Sequence, residues 1–316
     1  MANIMINNNC NLSCEYCFAK NISAPLYMTF TDFKYAVDFI ARGKEQIGIL
    51  GGEPTIHPLF REFVNYLEFN KDVRSFILFT NGINLGNYVE LIKYNKMRIL
   101  LNLNRPSDIG RKYDRIIEGL CKLRSIGKLS NKIAIGLTIY DDKYSDHWLK
   151  VMKDNSLNKL RLSIAVPNKR IESSSIEYYK KYKQIIFKYV HEALNNGILP
   201  FFDCNVPPPC ILENSERQEL MDKFSGRPTN VICNKSVCEP VIDILPDLKV
   251  IRCFGTKKDT ELNLKNFKSL HEIRNYYINE YDKKLIEKHI DSRCKKCVFF
   301  QKSLCNSGCL WLIKSE

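Results

Sequence analysis

Cys10-Asn11-Leu12-Ser13-Cys14-Glu15-Tyr16-Cys17-Phe18 sets three cysteines at C-x3-C-x2-C spacing, with Tyr16 before the third and Phe18 after it. Closely spaced thiolates on one loop are how a short segment wraps an iron–sulfur cluster. Three ligands for a four-iron cluster leave one iron open, and an open metal position can chelate a ligand or substrate. A zinc knuckle and a disulfide loop are the other readings of such a segment. Zinc loops more often pair C-x2-C with a second, distant pair, so the spacing leans against zinc.

A second motif lies one strand downstream. The apolar run 46–50 reads as a strand and ends in Gly51-Gly52-Glu53-Pro54-Thr55. Two glycines after a strand let the backbone approach a ligand closely, and Glu53 places an acceptor beside that gap. An ordinary strand-to-helix turn has the same composition. His57-Pro58 then opens a helix with Phe60, Phe63, Val64 and Leu67 inward, and His57 reads as a helix-entry residue.

Around these motifs, up to about residue 205, strand-like apolar runs alternate with amphipathic helices, which argues α/β with a parallel sheet. Strands are expected at 3–8, 46–50, 75–79, 98–101, 133–140 and 161–166. Helices are expected near 31–42, 88–93, 111–125, 145–153 and 176–196. The first strand feeds the cysteine loop. Thr31 is expected to cap the first helix, whose inner face is Phe33, Ala36, Val37 and Ile40. Cys121 reads as core, beside Ile117 and Leu120. A stiff connector follows at Phe201–Cys210, where Pro207-Pro208-Pro209 cannot lie within a helix or a central strand.

The loop Cys10–Cys17 together with Gly51–Pro54 resembles the signature of the radical SAM superfamily. The resemblance implies a [4Fe–4S] cluster on Cys10, Cys14 and Cys17 whose free iron binds the amino and carboxylate groups of S-adenosylmethionine (SAM). One electron from the cluster then breaks the sulfonium bond, and a 5′-deoxyadenosyl radical abstracts hydrogen from a substrate. It also implies a partial (β/α)6 TIM-like barrel over 1–203, with chemistry at the C-terminal ends of the strands. Tyr16, Phe18, Gly51, Gly52, Glu53 and Pro54 are the implied cofactor contacts. Thr80, Asn102 and Asn104, at strand ends facing the loop, are further candidates, with simple loop polarity as the alternative for each. Asn81 lies on the same side.

Beyond Pro209 the chain is cysteine-rich: Cys233, Cys238, Cys253, Cys294, Cys297, Cys305 and Cys309. The arrangement resembles the SPASM/twitch type of auxiliary Fe–S domain, here 204–316, found on radical SAM enzymes that modify peptides. By that resemblance Cys233, Cys238, Cys253 and Cys309 hold a first auxiliary [4Fe–4S] cluster, and Cys294, Cys297 and Cys305 hold three irons of a second. The run 241–252 reads as a hairpin about Pro246-Asp247. Two departures stand out. The C-x2-C-x5-C portion is C-x2-C-x7-C, and no cysteine follows Cys309 in the sequence. The second cluster is then absent, or has an open iron, a non-cysteine ligand, or Cys204 or Cys210 from the connector. A zinc ribbon is the alternative for the whole region. In relatives that oxidise a sulfatase residue an Asp follows the third auxiliary cysteine as general base; here that residue is Phe254. Asp203 is offered as a substitute catalytic base.

Composition narrows the function classes. No apolar run approaches the ~18 residues of a membrane span, and the N-terminus lacks a signal-peptide pattern, so a cytoplasmic location follows. Thirteen cysteines in a chain of 316 residues without that signal point to metal or cluster ligation rather than disulfides. The net charge of +13 permits an acidic partner, although the lysines are spread along the chain. No arginine-rich arm or nucleic-acid motif appears, so no nucleic-acid partner is expected. The first functional expectation is a maturase that oxidatively modifies a ribosomally made peptide (RiPP maturation), forming a thioether, a carbon–carbon cross-link or similar. Its partners would be a peptide with an acidic leader and an external reductant of flavodoxin or ferredoxin type. With nine residues before Cys10, leader recognition falls to a separate protein or to the basic surface. The second is a radical SAM dehydrogenase acting on a small molecule. The third, a non-catalytic Fe–S electron carrier, has no use for the Gly51–Pro54 motif.

Overall fold

The computed structural model describes residues 1–17, 19, 25–167, 174–224 and 236–313. Phe18 and Cys233 lie outside the described residues. The chain forms two compact units that interleave in sequence. One is Met1–Ile135 with Asp146–Leu157 and Pro240–Tyr277; the other is Gly136–Ser145 with Asn158–Glu239 and Ile278–Glu316.

The first unit is built on strands β1 (Ala2–Met5), β2 (Ile47–Leu50), β3 (Phe76–Thr80) and β4 (Met97–Asn102), parallel neighbours in that order, with β5 (Ile133–Ile139) beginning beyond β4. All four β1 residues are buried, as expected of a parallel strand covered on both faces. The helix Phe30–Arg42 buries Phe33, Ala36, Val37 and Ile40. Its cap is Thr29 rather than Thr31: the Thr29 hydroxyl accepts the Asp32 N–H at 3.1 Å. The helix Phe60–Phe69 buries the four residues expected of it. The helix Lys112–Ile126 turns Ile116, Gly119, Leu120 and Leu123 inward and leaves Cys121 exposed, which corrects the core reading of Cys121. The reason is a contact with a segment distant in sequence. Gly119 packs directly on Gly86, where an added Cβ would meet the Gly86 nitrogen at 3.0 Å, and this close approach fixes which face turns in.

The expected hairpin is present as β8 (Asp243–Ile244) and β9 (Lys249–Ile251), with β10 (Leu262–Asn263) antiparallel to β9. It does not stay with the rest of 204–316. β8 pairs in parallel with the outer edge of β1, with Asn3 opposite Asp243, and so extends the first unit's sheet. A strand edge is a row of unpaired backbone donors and acceptors, and β8 supplies their partners.

In the second unit β6 (Lys159–Ile164) pairs in parallel with β7 (Leu199–Phe201). The expected helix 176–196 is two helices, Ser175–Lys181 and Lys183–Asn195, meeting at Tyr182. The parallel strands agree with the partial (β/α)6 barrel architecture.

Candidate functional site

β1 ends at Met5, and the following residues are fastened to the turn after β2. The Gly52 N–H donates to Asn7 O at 2.9 Å and the Glu53 N–H to Asn9 O at 2.8 Å. The Asn7 side-chain amide donates to Asn9 O and Glu53 O. A Cβ on Gly52 would lie 2.2 Å from Asn9 O and 2.9 Å from Cys10 Cβ, and one on Gly51 would lie 2.2 Å from Asn7 Oδ1. The two glycines therefore admit the chain's own cysteine-bearing segment to the turn. This close approach of the loop backbone is a further reason for glycine at both positions, beside the ligand approach expected from the sequence.

Glu53 is 1% exposed. Its carboxylate accepts four protein donors: the Thr55 N–H at 3.1 Å, the Thr55 hydroxyl at 2.6 Å, the Thr80 hydroxyl at 2.7 Å and the Asn81 N–H at 2.8 Å. Burial raises its pKa, and these bonds oppose the rise. The carboxylate thus locks the end of β3 to the turn after β2 and caps the short turn Pro54–Ile56. Thr80 is equally committed, donating to Glu53 while its hydroxyl accepts the Gly82 N–H at 3.1 Å. These two side chains bind each other, at the end of β3 and in the turn after β2. Thr55, which sequence reading passed over, supplies two of the four donors. His57 is a helix-entry residue as read: its Nε2 donates to Met28 O at 3.1 Å and its Nδ1 accepts the Leu59 N–H.

Cys10 is exposed, and Cys14 and Cys17 are half-buried. Cys10 Sγ accepts the Leu12 N–H at 3.4 Å and faces the Asn81 amide at 4.0 Å; that amide also donates to Asn11 Oδ1. Cys14 Sγ and the Tyr16 hydroxyl both donate to Asn104 Oδ1 beyond β4. Lys112 Nζ holds Asn11 O at 2.8 Å. The ends of β3 and β4 thus brace the loop from the side expected, with Asn81 and Asn104 in contact with it. Asn102, the last residue of β4, is partly exposed. Burial pushes the Cys10 thiol up to about 11, and Glu53, Cys14 and Cys17 add to the rise. A bound iron reverses that tendency, because a coordinating thiol is deprotonated outright. Three accessible thiols on one braced loop, close enough to feel one another's charge, fit a cluster that leaves one iron open.

The remaining cysteines divide between the units. In the first, Cys253 has the buried Arg252 Nη1 at 3.8 Å and the Thr256 hydroxyl at 3.5 Å. Phe254 joins an apolar cluster with Met5, Leu245 and Ile251. In the second, the buried Tyr179 hydroxyl accepts the Cys309 N–H at 3.0 Å and donates to Asn205, and burial with the charges of Cys309, Cys238 and Cys204 raises its pKa. Asp203, offered as a base, is half-buried and accepts Arg161 Nε at 2.8 Å. Cys294, Cys297 and Cys305 share a cavity with Cys210.

Comparison with known proteins agrees with this geometry. Residues 4–135 match the model of the Radical SAM superfamily. A GTP 3′,8-cyclase of Alkaliphilus oremlandii is 23% identical over 169 residues, covering 49% of this chain and 53% of that protein. The chain spans between about a fifth and a half of the length of the curated relatives it matches. In fold it is similar to anSMEcpe, solved with bound AdoMet, at a TM-score of 0.67 and 18% identity over 98% of this chain and 85% of that one. It is also similar to Streptococcus suis SuiB bound to precursor peptide SuiA, at 0.67 and 17% over 100% and 73%. Over residues 4–135 the chain is similar to a radical SAM domain, the family whose resemblance implies a [4Fe–4S] cluster and SAM. A cysteine-rich C-terminal region follows the matched residues.

Proposed function

We propose that this enzyme cleaves SAM reductively and oxidatively modifies a ribosomally made peptide. Cys10, Cys14 and Cys17 would hold the cluster, and Tyr16 and backbone at Gly51–Pro54 would line the SAM site. When bound there, the cluster and SAM would supply one-electron reductive cleavage of the sulfonium. The chain's own contribution is position. Glu53 fixes the β2 and β3 ends, Asn81 and Asn104 brace the cysteine loop, and the two glycines seat that loop against the turn.

The observation that carries the cleavage half of the reading is the cysteine loop seated on Gly51–Gly52. The peptide half is supported by fold similarity over nearly the whole chain to proteins solved with peptides, together with the second set of cysteines. A basic surface from the net charge of +13 suits an acidic leader, and an external one-electron reductant completes the cycle. A small-molecule substrate is the second reading, favoured by the relatives named GTP 3′,8-cyclase.

The test is anaerobic reconstitution with iron and sulfide, then SAM and dithionite, with 5′-deoxyadenosine measured by mass spectrometry. The expected result is formation by the parent and none by Cys14→Ala. Absence of the product from fully iron-loaded parent protein would overturn the reading. Parallel reactions with GTP and with a candidate peptide separate the two substrate classes.

A further inference from the structure

The connector between the βα region and the C-terminal cysteines has a role that its composition does not announce. Pro208 is extended, at φ −60° and ψ 142°, and Pro209 starts a tight turn, Pro209–Ile211, whose Ile211 is buried. Proline rings fix φ at both positions, so the turn is stiff. At its centre is Cys210. Cys210, Cys294, Cys297 and Cys305 line one cavity, closed on other sides by Phe299 and Phe300. It encloses about 280 Å³, part of it open to solvent, against roughly 30 Å³ for one water in the liquid.

Each cysteine reaches the cavity by its own device. Cys294 lies in the short helix Ser292–Lys295, and its thiol donates to Ser307 Oγ at 3.5 Å. Between Cys297 and Cys305 the chain makes a helical turn, Val298–Gln301, and passes through a left-handed Ser303 at φ 55°. The Cys305 N–H then returns to Phe299 O at 3.2 Å. Backbone N–H groups of Ser307 and Gly308 donate to the Cys305 sulfur. Both residues have positive φ, 72° and 85°. Cys210 is exposed as a residue, yet burial pushes its thiol up to about 11, with Cys305, Cys294 and Cys297 adding to the rise, so all three lie within its field. Among the described residues no group of three or more Cys, His, Asp or Glu is arranged to hold a single metal ion. Zinc needs all its sulfurs about 2.3 Å from one centre, whereas thiolates of a cluster each bind a separate iron.

We propose that Cys210, Cys294, Cys297 and Cys305 form a complete four-thiolate site for an auxiliary [4Fe–4S] cluster, with Cys210 of the proline connector as the fourth ligand. Each thiol releases its proton on binding iron. A cluster with every iron thiolate-bound offers no position to a substrate, so its role is to pass single electrons.

The test uses the full chain carrying Cys10→Ala, Cys14→Ala and Cys17→Ala together, so that it is independent of the radical SAM reading. Iron and sulfide per chain and the EPR spectrum are measured after anaerobic reconstitution. Adding Cys210→Ala is expected to remove about four irons, as adding Cys297→Ala does, or about one iron with a [3Fe–4S] signal on oxidation. The two changes together should remove no more than one cluster, and Cys121→Ala should remove nothing. Cys210→Ser, nearly isosteric, is expected to shift or abolish the auxiliary signal. Unchanged iron in Cys210→Ala, an unshifted signal in Cys210→Ser, additive losses in the double variant, or zinc in place of iron would each overturn the proposal.

Discussion

Asp243 lies directly opposite Asn3 where β8 joins β1, the strand that leads into the cysteine loop. It is 1% exposed, and Asn3 Nδ2 donates to its Oδ1 at 2.7 Å. Burial raises its pKa from 3.8 to about 7, against the hydrogen bonds from Asn3 and the Phe254 backbone. Between those two values the unfolded chain has released the proton and the folded chain retains it. Stability therefore falls as pH rises from about 4 to about 7 and levels off above. Three pH units at about 1.36 kcal/mol each come to about 4 kcal/mol. Asp243→Asn keeps an acceptor for Asn3 and cannot ionise. The variant should match the parent near pH 4 and exceed it by as much as about 4 kcal/mol near pH 8. Urea midpoints across that range, for parent and variant side by side, check it. Parallel curves would show that the buried carboxyl does not titrate in this window and would refute the reasoning.

Two further substitutions probe the site. Gly52→Ala drives a methyl into Asn9 O and Cys10 Cβ, so it should cut iron bound at the loop severalfold, while Gly43→Ala, with no contact nearer than 3.4 Å, should leave it unchanged; iron analysis of protein lacking Cys210 and Cys297 reads this directly. Glu53→Ala strands the Thr55 and Asn81 N–H groups at about 1–3 kcal/mol each, for a loss of about 2–6 kcal/mol in urea unfolding. Glu53→Gln keeps one acceptor and should lose roughly half as much, and equal losses for the two variants would refute the assignment of four donors.

Much of the fold was legible because parallel strands and their covering helices announce themselves by period. The faces of the helices Phe30–Arg42 and Phe60–Phe69 and the hairpin at Asp243–Ile251 are where the residues put them. Cys121 was misjudged because the inward face of its helix is set by the approach of Gly86 to Gly119, a contact between segments far apart in sequence. The motif showed that a carboxylate stands at Glu53 but not which protein donors surround it; its partners Thr80 and Asn81 come from the end of another strand.

The chemistry was written in the residues themselves. Thiolates at C-x3-C-x2-C spacing, followed one strand later by Gly-Gly-Glu-Pro, limit a loop to few chemical uses, because ligand type and spacing are local properties. Tertiary structure alone decided which cysteines meet. Nothing local links Cys210 to Cys294, Cys297 and Cys305 across more than eighty residues of chain. A stiff proline turn and a left-handed backbone after Cys305 bring them to one cavity, and such long-range placement is fixed only when the chain has folded.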